Sequence, residues 1–164
     1  MKLSPEQRSR VLRHPAGWIA TGFGSGLSPF APGTAGSIAA LLPWLALREL
    51  TLPIYIVAIL AAFGLGVWAC NWIVRELHID DPGTAVWDEF VGLWITLLPL
   101  FWMRSHVWHV IAGFILFRIF DIVKPWPVSW ADRRVGGGFG VMLDDAIAGI
   151  YAAAALVALT HFVQ

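Results

Sequence analysis

Five long apolar runs, at residues 35–47, 52–72, 86–103, 107–123 and 141–163, alternate with short stretches rich in proline, glycine and charge. Runs that approach about 20 residues match a helix crossing a hydrocarbon layer of about 30 Å. The pattern therefore predicts an all-α, polytopic membrane helical bundle of about four to five hydrophobic segments. The first run is too short to cross alone at about 1.5 Å per residue. Tilt, local bilayer thinning or irregular backbone buried in protein would accommodate it. Residues 18–27 are apolar but interrupted by Gly22, Gly24 and Gly26, which predicts an interfacial or re-entrant piece. Residues 1–16 read as a basic cytoplasmic tail, and 17–164 as a single membrane-embedded domain.

Composition sharpens this. The 164 residues are 58% hydrophobic and 13% charged, against about 25% charged in soluble domains. Ten tryptophans fit a membrane interface, where the residue is enriched. A soluble helical domain with a very apolar core is the alternative, and the run lengths argue against it. The formal net charge is zero, which gives no reason to expect a nucleic-acid partner. The one cysteine, Cys70, excludes a disulfide framework and the usual Cys/His zinc spacing. The first residues lack an apolar stretch with a small-residue cleavage site, so no cleaved signal peptide is expected. Nothing in the pattern sets an oligomeric state.

Basic residues orient the chain, since they gather on the cytoplasmic side. Lys2, Arg8, Arg10, Arg13, Arg75, Lys124, Arg133 and Arg134 fall on one side, while Arg48 and Arg104 fall on the other. The same alternation sends every acid except Glu49 to the cytoplasmic side or its membrane margin. Five of them, Asp88, Glu89, Asp121, Asp144 and Asp145, lie within about a turn of apolar sequence. Acids at the margin of a span are costly and mark functional sites. Each adjacent pair, Asp88/Glu89 and Asp144/Asp145, has a plainer reading as N-terminal charge that stabilises a helix dipole. Two pairs facing Asp121 favour a divalent cation, and hard carboxylates suit Mg²⁺, which keeps waters and engages phosphate.

Four local patterns add chemistry. GFGSGLSPFAPGTAGS, from Gly22 to Ser37, frees backbone to approach an anion at a helix start, where Thr34 or Ser37 is a candidate cap. A flexible packing loop is its plainer reading, and no Walker lysine follows. The pentapeptides at 31–35 and 81–85 echo one another as Pro-Gly turns with a capping threonine. Arg118, Asp121 and Lys124 share a helix face, either as a salt-bridge ladder or with Asp121 on metal and the cations on phosphate. The pair Arg133/Arg134 either meets anionic lipid or is simply the orientation signal. His106 and His109 are read as interfacial residues of the outer connection.

Four motifs in order, GFGSGLSPFAPGTAGS, DPGTAVWDEFVG, FRIFDIVKPWP and GGGFGVMLDDAIAG, resemble the bacterial phosphatidylglycerophosphatase A family over roughly residues 17–155. The resemblance implies a Mg²⁺-dependent lipid phosphatase of the inner membrane. It implies phosphatidylglycerophosphate as the anionic phospholipid substrate, phosphatidylglycerol and phosphate as products, and a site on the cytoplasmic face. By position it points to Asp81, Asp88, Glu89, Asp121, Lys124, Asp144 and Asp145. Expected roles are metal binding for Glu89, Asp121, Asp144 and Asp145, and general base for Asp88 or Asp81. Gly26, Thr34, Ser37, Arg118 and Lys124 are expected to hold phosphate oxygens. Metal-assisted hydrolysis is the economical mechanism; an aspartyl-phosphate intermediate is the alternative. Rival classes are a transporter or channel with a carboxylate relay, another lipid enzyme such as a CDP-alcohol phosphotransferase, and a non-catalytic membrane subunit. Uncharged span centres disfavour the first, and the absent Asp-Gly/Ala-Arg signature disfavours the second.

Overall fold

The computed structural model describes residues 3–80, 82–103 and 106–163. It is all-helical, with no strand among those residues. The elements are α1 (Pro5–Arg13), α2 (Pro15–Ala20), α3 (Pro32–Leu47), α4 (Leu52–Leu77), α5 (Trp87–Thr96), α6 (Val107–Val123), α7 (Val128–Arg134) and α8 (Gly137–Val163).

The tail starts as an ordered helix. Ser4 and Gln7 cap α1 reciprocally: the Gln7 N–H donates to Ser4 Oγ at 3.2 Å and the Ser4 N–H to Gln7 Oε1 at 2.9 Å. Val11 is the buried residue of α1, and Gly17 of α2 sits so close to its carbonyl that a Cβ would collide there. The segment at 18–27 is the end of α2, a turn, and a 3-10 turn at Ser25–Leu27.

Two helices are long and apolar enough to cross a membrane, Leu52–Leu77 and Gly137–Phe162. That is fewer than the four to five segments predicted. The largest departure is the run at 86–103. It folds as the ten-residue α5 followed by a 3-10 turn at Leu98–Phe101. Pro99 explains the break, because it has no N–H for the Ile95 carbonyl and its ring crowds that oxygen. At about 1.5 Å per residue α5 is about 15 Å long and does not cross. The apolar run at 35–47 gains residues at its start, and α3 contains Pro43.

The shortness of α5 goes with its position. It packs against α3, α4, α6 and α8 at once, and Phe90, Val91, Leu93, Trp94 and Thr96 are all buried. A helix that is apolar all round belongs inside a bundle. Side-chain donors fasten it to its neighbours. Trp87 Nε1–H donates to the Ala62 carbonyl at 2.9 Å, and Trp94 Nε1–H to the Ala40 carbonyl at 2.9 Å. Tyr55 O–H donates to the Trp94 carbonyl at 2.7 Å. Glycines allow the close crossing of α5 with α8. A Cβ on Gly149 would strike the Gly92 carbonyl, and one on Gly92 would meet the Asp145 carbonyl at 2.8 Å. This contact brings Asp88 and Glu89, in the first turn of α5, toward Asp144 and Asp145, about two turns into α8.

The outer faces of α3, α4, α6 and α8 are apolar. Ile111, Ile115, Ile119 and Ile122 run along one exposed face of α6, and Ile38, Leu42 and Leu45 do so on α3. His109 departs from its interfacial reading. It is buried, with its Nδ1 accepting from the His106 N–H at 3.0 Å.

Candidate active site

The starts of α3, α5 and α8 meet the end of α6 at one end of the bundle. Between them opens a cavity of about 590 Å³, walled by Asp88, Glu89, Asp121, Lys124, Asp144 and Asp145 among others. Asp88 and Glu89 lie in the first turn of α5 and Asp121 in the last turn of α6, whereas α8 starts at Gly137, so Asp144 and Asp145 stand about two turns inside it and do not serve as its N-terminal charge. Topology makes them neighbours.

One cluster centres on Arg118. Its Nη1 donates to Glu89 Oε2 and lies 2.9 Å from Asp121 Oδ2, one turn along α6. The Ser37 hydroxyl donates to the same Glu89 oxygen and stays near the Gly33 carbonyl at 3.0 Å. Gly33 makes this possible. A Cβ there would collide with Glu89 Oε1 and come within 3.2 and 3.3 Å of the two terminal nitrogens of Arg118. Arg118 and Ser37 stand behind the cavity wall, so the guanidinium serves the carboxylates rather than the open space.

A second cluster centres on Lys124. The residue closes α6 in the left-handed region (φ 47°), ahead of Pro125, which disfavours helix in the residue before it. Its ammonium donates to Asp132 Oδ1 on α7 and to Asp144 Oδ2 on α8 at 2.7 Å. Burial disfavours the Lys124 charge, yet the Asp132 and Asp144 carboxylates outweigh it and hold the pKa above the usual lysine value. Lys124 therefore does not pair with Asp121 in a ladder; its partners are Asp132 and Asp144. A Lys ammonium has three donors, so two partners leave one N–H toward the cavity. The start of α8 is fixed separately, by the Gly138 N–H donating to Asn71 Oδ1 at 2.7 Å.

Asp145 differs from the others. It is 3% exposed, and its Oδ2 is buried with no hydrogen-bond partner. It feels the charges of Asp88, Glu89, Asp121 and Asp144. An unpartnered buried carboxylate oxygen is expensive, and a hard cation is the group its chemistry fits. Among the described residues no three His, Cys, Asp or Glu side chains form a ready-made metal cage. Mg²⁺ does not need one, because it is commonly bound by one or two carboxylates plus waters and phosphate.

Other expected residues lie elsewhere. Gly26 borders a separate cavity with Arg8, Ser28 and Thr84, and a Cβ added there would collide with the Thr84 carbonyl. Thr34 and Ser37 do not cap α3: the cap position is Ala31, with no side-chain bond, and Pro32 starts the helix. Thr84 does not cap α5 either, whose cap position is Val86. The echo thus has one helix start and one turn, with unlike backbone roles. Asp81 lies outside the described residues. Sequence reasoning did not anticipate Asp132 as a partner of Lys124, nor Gly33 as the gap beside Glu89. Asp132 is eight residues away across a turn, with no periodic signal. The Pro-Gly start of α3 was the available sign for Gly33.

Comparison with known proteins agrees with the chemistry. A family model described as Phosphatidylglycerophosphatase A matches residues 18–160. The chain is 42% identical to "Phosphatidylglycerophosphatase A" of Escherichia coli (strain K12), covering 94% of this chain and 89% of that protein. It is 39% identical to the protein of the same name from Haemophilus influenzae, covering 92% of each. A "Putative phosphatidylinositol-3-phosphatase" of Bacteroides thetaiotaomicron is 47% identical, covering 81% of this chain and 86% of that one. No solved structure matches. With its acids gathered around one cavity and relatives of this likeness along nearly its whole length, the chain belongs to the phosphatidylglycerophosphatase A family.

Proposed function

We propose that this protein is a multi-pass phosphatase of the bacterial cytoplasmic membrane. Its reaction is hydrolysis of phosphatidylglycerophosphate to phosphatidylglycerol and inorganic phosphate, at the cytoplasmic face and with Mg²⁺. The observation that carries the reading is the unpartnered Asp145 oxygen in a carboxylate-walled cavity at one end of a bundle with apolar sides. Soluble monomers rarely expose such continuous apolar faces. The basic residues favour the cytoplasm for the end that bears the cavity.

Family membership supports the chemistry. Phosphatidylglycerophosphate and phosphatidylinositol 3-phosphate, the lipids in the relatives' names, share a phosphomonoester on a polyol and a phosphodiester to diacylglycerol. In hydrolysis the bond between phosphorus and the polyol oxygen breaks, water supplies the new P–O bond, and the departing polyol oxygen takes up a proton to leave as the alcohol. Asp88, half-buried on the cavity wall, would take a proton from that water. The free N–H of Lys124 would hold a phosphate oxygen, and Asp132 and Asp144 keep it charged and aimed. Arg118 and Ser37 fix the rotamer of Glu89. Asp145, with Asp144 and Glu89 nearby, would hold Mg²⁺, which when bound supplies neutralising charge for phosphate oxygens.

The test is release of inorganic phosphate by the purified full chain from phosphatidylglycerophosphate in detergent micelles. Turnover should appear with Mg²⁺, vanish with a chelator, and return when Mg²⁺ is restored. Turnover that persists in chelator would remove the metal. No turnover with any lipid phosphomonoester would remove the reading.

A further inference from the structure

The proposed substrate carries two phosphates, and the cavity walls treat them unequally. Its inner part is acidic, with Asp88, Glu89, Asp121, Asp144 and Asp145. The cations there are paired with acids, Arg118 with Glu89 and Asp121 and Lys124 with Asp132 and Asp144, which leaves one Lys124 N–H for the terminal phosphate and none for a second one. Two further cations, Arg133 and Arg134, border the same cavity from the last turn of α7. Both are exposed, and among the described residues neither side chain has a hydrogen-bond or ion-pair partner.

Their position is held from both sides. Asp132, the preceding residue, ties α7 to Lys124 and through it to Asp144 on α8. Tyr151 O–H on α8 donates to the Trp126 carbonyl in the connection before α7, at 3.2 Å. Gly136, which follows the arginines along the wall, has open space where a side chain would stand. A helix C-terminus favours basic residues through its dipole, and that accounts for arginines somewhere in the last turn. It does not account for two unpaired ones on the wall of the carboxylate cavity.

We propose that Arg133 and Arg134 form a second anion subsite that takes the bridging phosphodiester while the terminal phosphomonoester lies over the acidic floor. Guanidinium forks match phosphate oxygens bidentately. The pair would then make the enzyme select lipids with two phosphates over phosphatidic acid, which has a monoester alone. This rests on the function proposed above.

The experiment uses the purified full chain in uncharged detergent micelles, so that bulk anionic lipid plays no part. Phosphatidylglycerophosphate and phosphatidic acid are compared as substrates or, where one is not turned over, as competitors. The same two lipids are also titrated in chelator, with tryptophan fluorescence as a binding readout. Arg133→Ala/Arg134→Ala should raise KM and the binding constant for phosphatidylglycerophosphate about tenfold or more. It should leave the values for phosphatidic acid within about twofold and kcat little changed. Arg133→Lys/Arg134→Lys should recover part of the loss, since it keeps charge without the fork. Equal losses for both lipids, or none for either, would overturn the subsite. A wild-type chain that binds the two-phosphate lipid through these arginines but releases no phosphate would instead overturn the proposed function and leave the subsite standing.

Discussion

The two ends of the bundle hold spaces of nearly equal size and opposite character. The carboxylate cavity measures about 590 Å³, and a groove of about 570 Å³ lies at the other end between the close of α3 and the start of α6. That groove is lined by Leu41, Leu42, Leu45 and Val110, with Arg48 as its cation. Arg48 is satisfied locally: it pairs with Glu49 at 3.3 Å and stacks over Trp44 at 5.3 Å. At the cavity the partners come from far along the chain, 29 residues apart for Arg118 and Glu89 and 52 for Ser37 and Glu89. Size does not distinguish the two ends. Charges that the fold has gone to lengths to assemble do, above all where one is left without a partner.

The comparison breaks most visibly at Asp145. Asp145→Asn keeps the shape and removes the charge. Phosphate release should fall about 100-fold or more, while the thermal midpoint holds or rises, because a buried carboxylate with an unpartnered oxygen is lost. A lower midpoint with near-normal turnover would make Asp145 a structural residue. Gly33→Ala asks whether the Glu89–Arg118 contact needs its gap. Turnover should drop about tenfold, whereas Gly64→Ala, in open space, should change it little. Equal behaviour of the two alanines would dissociate Arg118 from the site. The smallest effect belongs to the opposite groove. Leu42→Ala, at a 72% exposed position, should leave kcat/KM within about twofold. A large loss there would mean that the apolar end takes part in catalysis.

Much of this end was legible beforehand. Acids stand out against apolar sequence, and Arg118 with Asp121 obeys helix spacing. The partners of Lys124 were not legible, because the residue leaves the helix in a left-handed turn and meets Asp132 from α7. The extent of α5 departs from its sequence expectation for a different reason. A long apolar run gives the same signal whether lipid or other helices surround it, and Pro99 is the mark of its break. The capping threonines failed because Pro32 and Val86 set the starts of α3 and α5 through backbone alone.

The enclosure of α5 bears on how such a protein would respond to different bilayers. Changes in hydrocarbon thickness act on spanning helices by tilting them, at a cost of fractions of a kcal/mol per Å. The long helices α4 and α8 present apolar faces outward and would take that load. Glu89 stands on a ten-residue helix wrapped by others and hung from the carbonyls of Ala40 and Ala62. Acyl chains have no grip on it, so lipid length can reach this carboxylate only through the helices that surround it.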